Sequence, residues 1–484
     1  MINSIQQFCQ NGIKNLEKVM VDYSADMTKI AEMVQGVTKS VVDLGLSIIA
    51  EEWENYDKLL RTRKELRSGW YIVRRDESTL LTSLGSVTYH KTLFQNKSTG
   101  EYEYLLDRIM GIEKHARMTE DAEAKLLEEA VQTSYRKGGE QVSITEEAVS
   151  KETVMNKIHT LRFPKTGPQF PKKALKYLYI DADEDHVSLQ YINEKGDIKK
   201  PRRNTIMPKL IYVYEGITCE NGRNELINKK HFGGVYEGGK AIEQLWREVS
   251  EYIEESYDTE ELTKIYINGD GAAWIKSGQR ILDKAKFVLD RFHMHKYIIG
   301  ATSHLLDSVE DARSEIYRAI YKKKKYEAEE IFEKILAVTD GESKRKTVET
   351  AKEYILGNWA GIMQGVRDKN KEVRCSAEGH ISHVFADRMS SRPLGWSRTG
   401  ADKMSRLRIY EKNGGSMLEL VRFQREKLPM GAGCEEVIYS SNQMFSAERK
   451  NREAWGTLAD IPVYSIPYPQ IKKIAGLKNH IWGL

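Results

Sequence analysis

The sequence predicts a multidomain protein of mixed class, α+β in its N-terminal part and α/β beyond. Three observations predict it. The chain has 484 residues, more than one hydrophobic core ordinarily organises, so two to four structural units are expected. Apolar spacing switches between helical and alternating several times. A Pro-rich stretch, FPKTGPQFPKKA (163–174), separates helical texture from a region where strands and helices alternate.

The elements follow in order. Residues 1–67 read as helical, with Ile30, Met33, Val34, Val37, Val41, Leu44 and Ile48 at helical spacing. Residues 68–118 alternate, turn at Asn96 to Gly100 and alternate again, a β-hairpin unit. Residues 119–165 return to helix. Leu126, Leu127, Ala130 and Val131 share a face that stops at Gly138-Gly139. Ser143 with Glu146 fits a capping box, and Ser150 caps a second short helix that buries Val154, Ile158 and Leu161. The outer face of that helix carries Lys151, Glu152, Thr153, Asn156, Lys157 and His159, a helix-turn-helix pattern whose plain alternative is a helical hairpin. Beyond the linker, strands are expected at 175–181, 185–192, 209–215, 263–268 and 285–290. A helix is expected at 239–256, striped by Ile242, Leu245, Trp246, Val249 and Ile253. Residues 297–371 read as a charged helical segment, 372–425 as polar with Gly, Ser and Arg, and 426–484 as a mixed C-terminal region.

Hydrophobic residues make up 40% and charged residues 30%, which suits a soluble globular chain. A net charge of +4 excludes a uniformly basic protein yet allows basic patches. Cys9, Cys219, Cys375 and Cys434 form no CxxC pair, so neither a zinc ribbon nor a disulfide scaffold is implied. No run approaches ~18 apolar residues, and the N-terminus lacks the pattern of a secretion signal. A cytoplasmic protein without a membrane span is expected.

Several segments carry possible chemistry. YLYIDADEDHVSLQ (177–190) reads as a strand, yet alternation puts Asp181, Asp183 and Asp185 on one face. Asp is depleted in strands, so either a solvated sheet edge or a cation explains them. GGVYEGGKA resembles a phosphate-binding loop, but Ala241 stands where Ser or Thr should hold magnesium, and helix entry is the better reading. KIYINGDGAAWIK ends a strand at Asp270 between two glycines, placed for a metal, a substrate or a plain turn. FVLDRFHMHKYI sets Asp290, His293 and His295 beyond a strand, without a third zinc ligand at suitable spacing. VRCSAEGHISHVFADRMSSRPLGWS crowds Glu378, His380, His383, Asp387, Arg388 and Arg392 together. An acidic strand, a strand-end Asp and a later Glu suit two-metal phosphoryl transfer. Magnesium binds through a few carboxylates plus substrate phosphates, and two ions clamp the attacking and leaving oxygens.

The blocks LYIDADEDHVSLQ, HFGG, YINGDGAAWIK, FVLDRFHMHKYI and CSAEGHISHVFADRMSSRPLGWS occur in this order over residues 175–400. They resemble the signature blocks of insertion-sequence transposases of the ISLre group. Those are DDE transposases with a ribonuclease-H-like core, distantly similar to Mutator-type transposases. The helix-turn-helix region also resembles the family's N-terminal part. The resemblance implies a mixed-sheet core in two parts, 173–296 and 372–425, the second bearing the Glu helix, with 297–371 as a helical insertion. It implies DNA strand cleavage at transposon ends and strand transfer into target DNA. Two Mg2+ ions would serve, with Mn2+ as a substitute. The catalytic and metal-binding triad would be Asp183, Asp270 and Glu378. Asp181 is a further metal ligand and the alternative first acid, because it shares the strand face of Asp183. Asp290, His293 and His380 would support the acids. Lys151, Asn156, Lys157, His159, Arg388 and Arg392 would contact DNA, with Arg136 and Lys137 on the backbone. The lysines 322–325 would carry DNA, or form a solvated helix face. Double-stranded DNA is the implied partner, the chain acting as a homo-oligomer, at least a dimer on DNA, in the bacterial cytoplasm and at the nucleoid. The rivals are a nuclease of the same core that cuts without joining and a non-catalytic DNA-binding descendant.

Overall fold

The computed structural model describes residues 3–145, 147–191, 204–220, 223–368, 381–391 and 395–425. It has mixed α and β structure and divides into two units. Among the described residues, the first unit comprises 3–123 and 141–148, and the second 124–140 and 149–425.

In the first unit, helices Ile13–Ala25 and Ile30–Thr62 precede a three-stranded antiparallel sheet. Its strands are β1 (Trp70–Leu81), β2 (Ser86–Asn96) and β3 (Tyr102–Tyr104). The expected turn at Asn96 is present, where the Asn96 side chain accepts from the backbone N–H groups of Ser98 and Thr99. A second turn at Thr82–Gly85 divides the alternating run, so the hairpin unit has three strands. The long helix docks on this sheet through Leu60, which is buried with Leu80, Val87, Tyr89 and Phe94. Asp57 on the same helix is fully buried and accepts from Thr92 N and Oγ1 and from Arg61 Nε. The capping box expected at Ser143 does not start a helix. Residues 141–145 form turns, and the N–H of Ile144 donates to Ser83 O, so tertiary pairing takes the segment.

The second unit is organised by a five-stranded sheet. Chain order gives β4 (Tyr177–Glu184), β5 (Val187–Ser188), β6 (Thr205–Ile206), β7 (Lys209–Tyr214), β8 (Gly216–Glu220), β9 (Arg223–Ile227), β10 (Lys230–Gly234), β11 (Lys264–Gly269) and β12 (Ala285–Leu289). The sheet order is β10-β7-β4-β11-β12. β7 runs antiparallel to both neighbours, whereas β4, β11 and β12 are mutually parallel. β5 pairs with β6, and β8 with β9. The second acidic strand expected at 185–192 shrinks to β5, because β4 runs on through Asp183 to Glu184.

Alternation sorts the sheet's two faces. Leu178, Ile180, Ala182, Ile211, Val213, Ile265 and Ile267 pack with Leu245, Trp246, Val249 and Ile253 of helix Gly239–Ser256. Helices Arg291–Thr302, Val309–Tyr321, Lys325–Val338, Glu342–Gly357 and Trp359–Arg367 add Ile298, Ile320, Phe332, Ile355 and Ile362 to the same core. The segment expected as an insertion therefore shares the sheet's core. Its lysines 322–325 lie exposed where one helix ends and the next begins at Lys325, rather than along one helix face.

Candidate active site

Three parallel strands end side by side, each with a carboxylate. Asp183 is the penultimate residue of β4, Asp270 follows β11 and Asp290 follows β12. Asn268 pairs with Asp181 on one side and Val288 on the other, so Asp183, Asp270 and Asp290 come level two residues further on. The N–H of Asp290 still donates to Gly269 O, which extends the ladder to this point. A strand end lets the side chain leave the sheet while the backbone fixes its origin.

The Asp270 turn is held from both directions. Asp270 Oδ1 accepts from Ala272 N at 2.8 Å, and the Tyr354 hydroxyl donates to Asp270 O at 2.5 Å. Gly271 has φ +94°, and a Cβ there would stand 2.6 Å from Asn358 Oδ1, so both conformation and space require glycine. Tyr354 stacks on Tyr297 with ring centroids 3.8 Å apart, and Tyr297 lies one helical turn beyond His293.

Asp290 is buried and caps helix Arg291–Thr302, accepting from Phe292 N at 3.1 Å through Oδ1. Its Oδ2 lies 2.9 Å from His293 Nδ1. That hydrogen bond is the main reason the imidazole is held above its ordinary pKa, against the opposing effect of burial. The charges of Asp290, Asp183 and Asp270 add to the rise. All three strand-end acids thus act on one imidazole.

Asp181 is a different kind of acid. It is fully buried. Its Oδ2 accepts from the Tyr212 hydroxyl at 2.8 Å, and Oδ1 from the Tyr214 hydroxyl at 3.1 Å and Asn268 Nδ2 at 2.6 Å. Tyr179 stacks between Tyr214 and Tyr266 on the same face. Three donors claim the carboxylate that sequence alone leaves as a metal ligand or first acid, so it ties three strands together. Asp183, two residues on, is half-buried and accepts from Glu184 N at 2.8 Å. Asp185 lies beyond the strand, buried, accepting from Ser390 Oγ at 2.9 Å, and burial pushes its carboxyl above the usual range.

Among the described residues, no three His, Cys, Asp or Glu side chains cluster to hold a metal ion unaided. Asp183 and Asp270 offer two hard oxygen donors. That set fits magnesium, which takes a few carboxylates and fills its remaining positions with water and phosphate oxygens. Glu378, His380 and Arg392 lie outside the described residues.

The expected DNA contacts divide. Ser150 caps helix Lys151–Thr160 as foreseen, accepting from Thr153 N, and Val154 and Ile158 are buried. Lys151 and Asn156 are exposed, as are Arg136 and Lys137, and Lys157 is half-buried. His159 instead turns toward helix Arg398–Lys412. A Cβ at Gly400 would stand 3.0 Å from its Nε2, and burial, with the charge of Lys403, lowers its pKa. Arg388 is corrected outright. It is 7% exposed, its Nε donates to Ala130 O, and its guanidinium lies 4.9 Å from the Trp396 ring centre and 5.7 Å from that of Tyr135. It binds a helix end, not a phosphate.

Sequence reasoning missed Tyr212, Tyr214, Asn268, Tyr354 and Asn358. A signal existed for the first group. YLY, YVY and IYIN repeat a two-residue alternation that puts tyrosines and one amide on the acidic face. Nothing local marks Tyr354, which reaches Asp270 from 84 residues away.

The chain belongs to the uncharacterised protein family UPF0236, whose model matches residues 24–427. Similar proteins occur in Caldanaerobacter subterraneus subsp. tengcongensis. One UPF0236 protein is 37% identical over 429 residues, covering 88% of this chain and 87% of its own length, under a name that joins eleven designations. Another is 35% identical over 427 residues, covering 87% of each chain, under a name that joins four. A third is 35% identical over 429 residues, covering 88% of each.

Proposed function

We propose that this member of UPF0236 is a DDE transposase with a ribonuclease-H-like core, cutting DNA at the ends of a mobile element and joining those ends to target DNA. One observation carries the reading: Asp183 and Asp270 stand level at the ends of adjacent parallel strands, β4 and β11. The mixed sheet β10-β7-β4-β11-β12, with β7 alone reversed, agrees with the mixed-sheet core that the resemblance implies. The eleven designations in one relative's name also favour it, since a protein present many times in one strain is what a mobile element leaves behind.

Asp183 and Asp270 would hold Mg2+, with Glu378 as the further ligand that the reading requires. The ion would supply charge stabilisation at the phosphoryl oxygens and a more acidic attacking hydroxyl. The chain's own residues prepare that position. Tyr354 fixes the backbone of the Asp270 turn. Asp290 engages His293 Nδ1, which leaves Nε2 to meet a phosphate oxygen as a charged donor. Tyr321 lines a small cavity with Asp290 and Arg291, and the exposed lysines 322–325 follow it directly, giving DNA a cationic approach to the acids. Exposed Lys151 and Asn156 suit a second contact, from the region read as a helix-turn-helix.

The test is a plasmid assay with element ends, with Mg2+ or Mn2+ added. The parent should cut at the ends and yield joined products. Asp183→Asn and Asp270→Asn should each abolish both steps while melting normally without Mg2+. Cutting without joining would decide for the nuclease. Undiminished cutting by both variants, or none by the parent, would reject the reading.

A further inference from the structure

We propose that the exposed rings of Phe292, Tyr321 and Tyr326, set among basic side chains beside the candidate active site, form a stacking platform for a single DNA strand. The three residues are 55%, 64% and 83% exposed. One apolar side chain on a surface needs no explanation, but three large rings on successive helices do.

The fold ties them to one place. Phe292 follows Asp290 and Arg291 directly, and Tyr321 lines a small cavity with those same two residues. Tyr326 lies in the first turn of the next helix, Lys325–Val338, and residues 321–326 are exposed without a break. Several rings are held before any ligand arrives. Tyr321 stacks on Tyr317 with centroids 6.5 Å apart, and Tyr317 on His295 at 6.1 Å. The Tyr317 hydroxyl lies 2.5 Å from His295 Nδ1, which fixes those two rings to each other. Phe292 meets the His293 ring edge to face at 5.4 Å, and Asp290 holds His293. Rings held in this way lose little freedom when a base arrives.

Charge indicates what the rings meet. Residues 291–302 and 316–326 contain no Asp or Glu. Arg291 and Lys296 stand beside Phe292 on its helix, and lysines 322–325 fill the interval between Tyr321 and Tyr326, all exposed. Glu327 engages Lys324. Cations alone suit any phosphate backbone, whereas exposed rings need a bare base. In a duplex each base face is covered by its neighbour in the stack. An unpaired strand offers phosphates and open base faces together, and a basic surface bearing aromatic rings is how proteins hold one. An anionic lipid surface would also meet lysines and aromatics. Position disfavours it, because Tyr321 shares its cavity with Asp290 at the end of β12.

The inference takes DNA as the ligand from the proposed function and adds strandedness: the DNA beside the acids is presented with bases unpaired. The test is fluorescence anisotropy of the full chain in EDTA, where binding is read without cutting. The probes are labelled oligothymidylate, an abasic strand of equal length and a duplex. The parent should bind oligothymidylate more tightly than the abasic strand, which carries the same charge. Stacking is worth about 1–3 kcal/mol per base, so Tyr321→Leu with Tyr326→Leu should weaken oligothymidylate binding about fivefold or more. Phe292→Leu should act in the same direction. Neither should change affinity for the abasic strand or the duplex. Tyr321→Trp with Tyr326→Trp keeps the rings and should keep the base preference, which separates stacking from misfolding. Lys322→Ala with Lys323→Ala should instead weaken all three probes and flatten their salt dependence. Equal affinity of the parent for oligothymidylate and the abasic strand, a base preference that survives the leucine variants, or flotation on phosphatidylglycerol vesicles in place of strand binding would overturn the inference. A parent with the preference that never cuts element ends keeps the platform and rejects the proposed chemistry. A parent that cuts ends without the preference does the reverse.

Discussion

Asp181 and Asp183 sit two residues apart on one strand face, and the structure assigns them opposite costs on removal. Asp181→Ala deletes an acceptor for Tyr212, Tyr214 and Asn268, all donating inside a dry sheet face. A hydrogen bond to a charged group is worth about 1.5–3 kcal/mol, so losing all three costs roughly 4.5–9 kcal/mol. That compares with a total of about 5–15 kcal/mol for a typical domain. Asp181→Asn is gentler. The amide oxygen can keep Tyr214 and Asn268, and the Tyr212 hydroxyl can turn to accept from the new NH2 group. Only charge assistance is lost, about 1–3 kcal/mol. Asp183→Asn, half-buried at the strand end, keeps an oxygen for Glu184 N and should change stability by under about 1 kcal/mol. Urea unfolding of the three variants without Mg2+, followed by fluorescence, measures the order. Cleavage by the folded fraction should be lost in Asp183→Asn and reduced only in part in Asp181→Asn. If Asp181→Ala unfolds at the parent's urea concentration, or Asp183→Asn is the more destabilised, the structural assignment of Asp181 is wrong.

Four further outcomes are expected. Burial holds the Asp185 carboxyl above its ordinary pKa of 3.8, so its contribution is fully present below that value and lost as pH rises through the raised one. Asp185→Asn, which can still accept from Ser390, should therefore match the parent's urea midpoint in acid and exceed it at pH 7; a lower midpoint at pH 7 would contradict this. His293 should titrate above the usual imidazole range by NMR, and Asp290→Asn should lower its pKa more than Asp183→Asn or Asp270→Asn does, since the Asp290 hydrogen bond is the larger cause. Arg388→Ala should cost about 2–4 kcal/mol of stability through its lost carbonyl bond and ring contacts, yet leave DNA affinity per folded molecule unchanged. Lys151→Ala with Lys157→Ala should do the reverse, reducing the log-log salt slope of DNA binding by about two.

The acidic strand shows how far sequence could go. Period-two alternation correctly set Asp181 and Asp183 on one face, because that depends only on the pleat. It could not give depth, since the donors that fill the Asp181 carboxylate come from strands 31 to 87 residues away. Asp270 was legible for the opposite reason: a strand running into Gly-Asp-Gly announces its own end. Arg388 misled because a guanidinium among histidines and serines looks like a surface contact until Ala130, 258 residues earlier, supplies its carbonyl. The Ser143 capping box failed similarly, its segment being claimed by Ser83. What remains is why one strand carries three acids at all. Inside the sheet, Asp181 is matched by three donors and so costs little as a charge. Past the end, Asp185 is buried, pushed toward its neutral form and held by Ser390. Asp183 stands between them, half-buried and level with Asp270, and the charges of both raise the pKa of His293. Two carboxylates kept side by side at a strand end repel unless a cation shares them. The flanking acids serve the fold, and on the proposed reading the middle one would serve a metal ion.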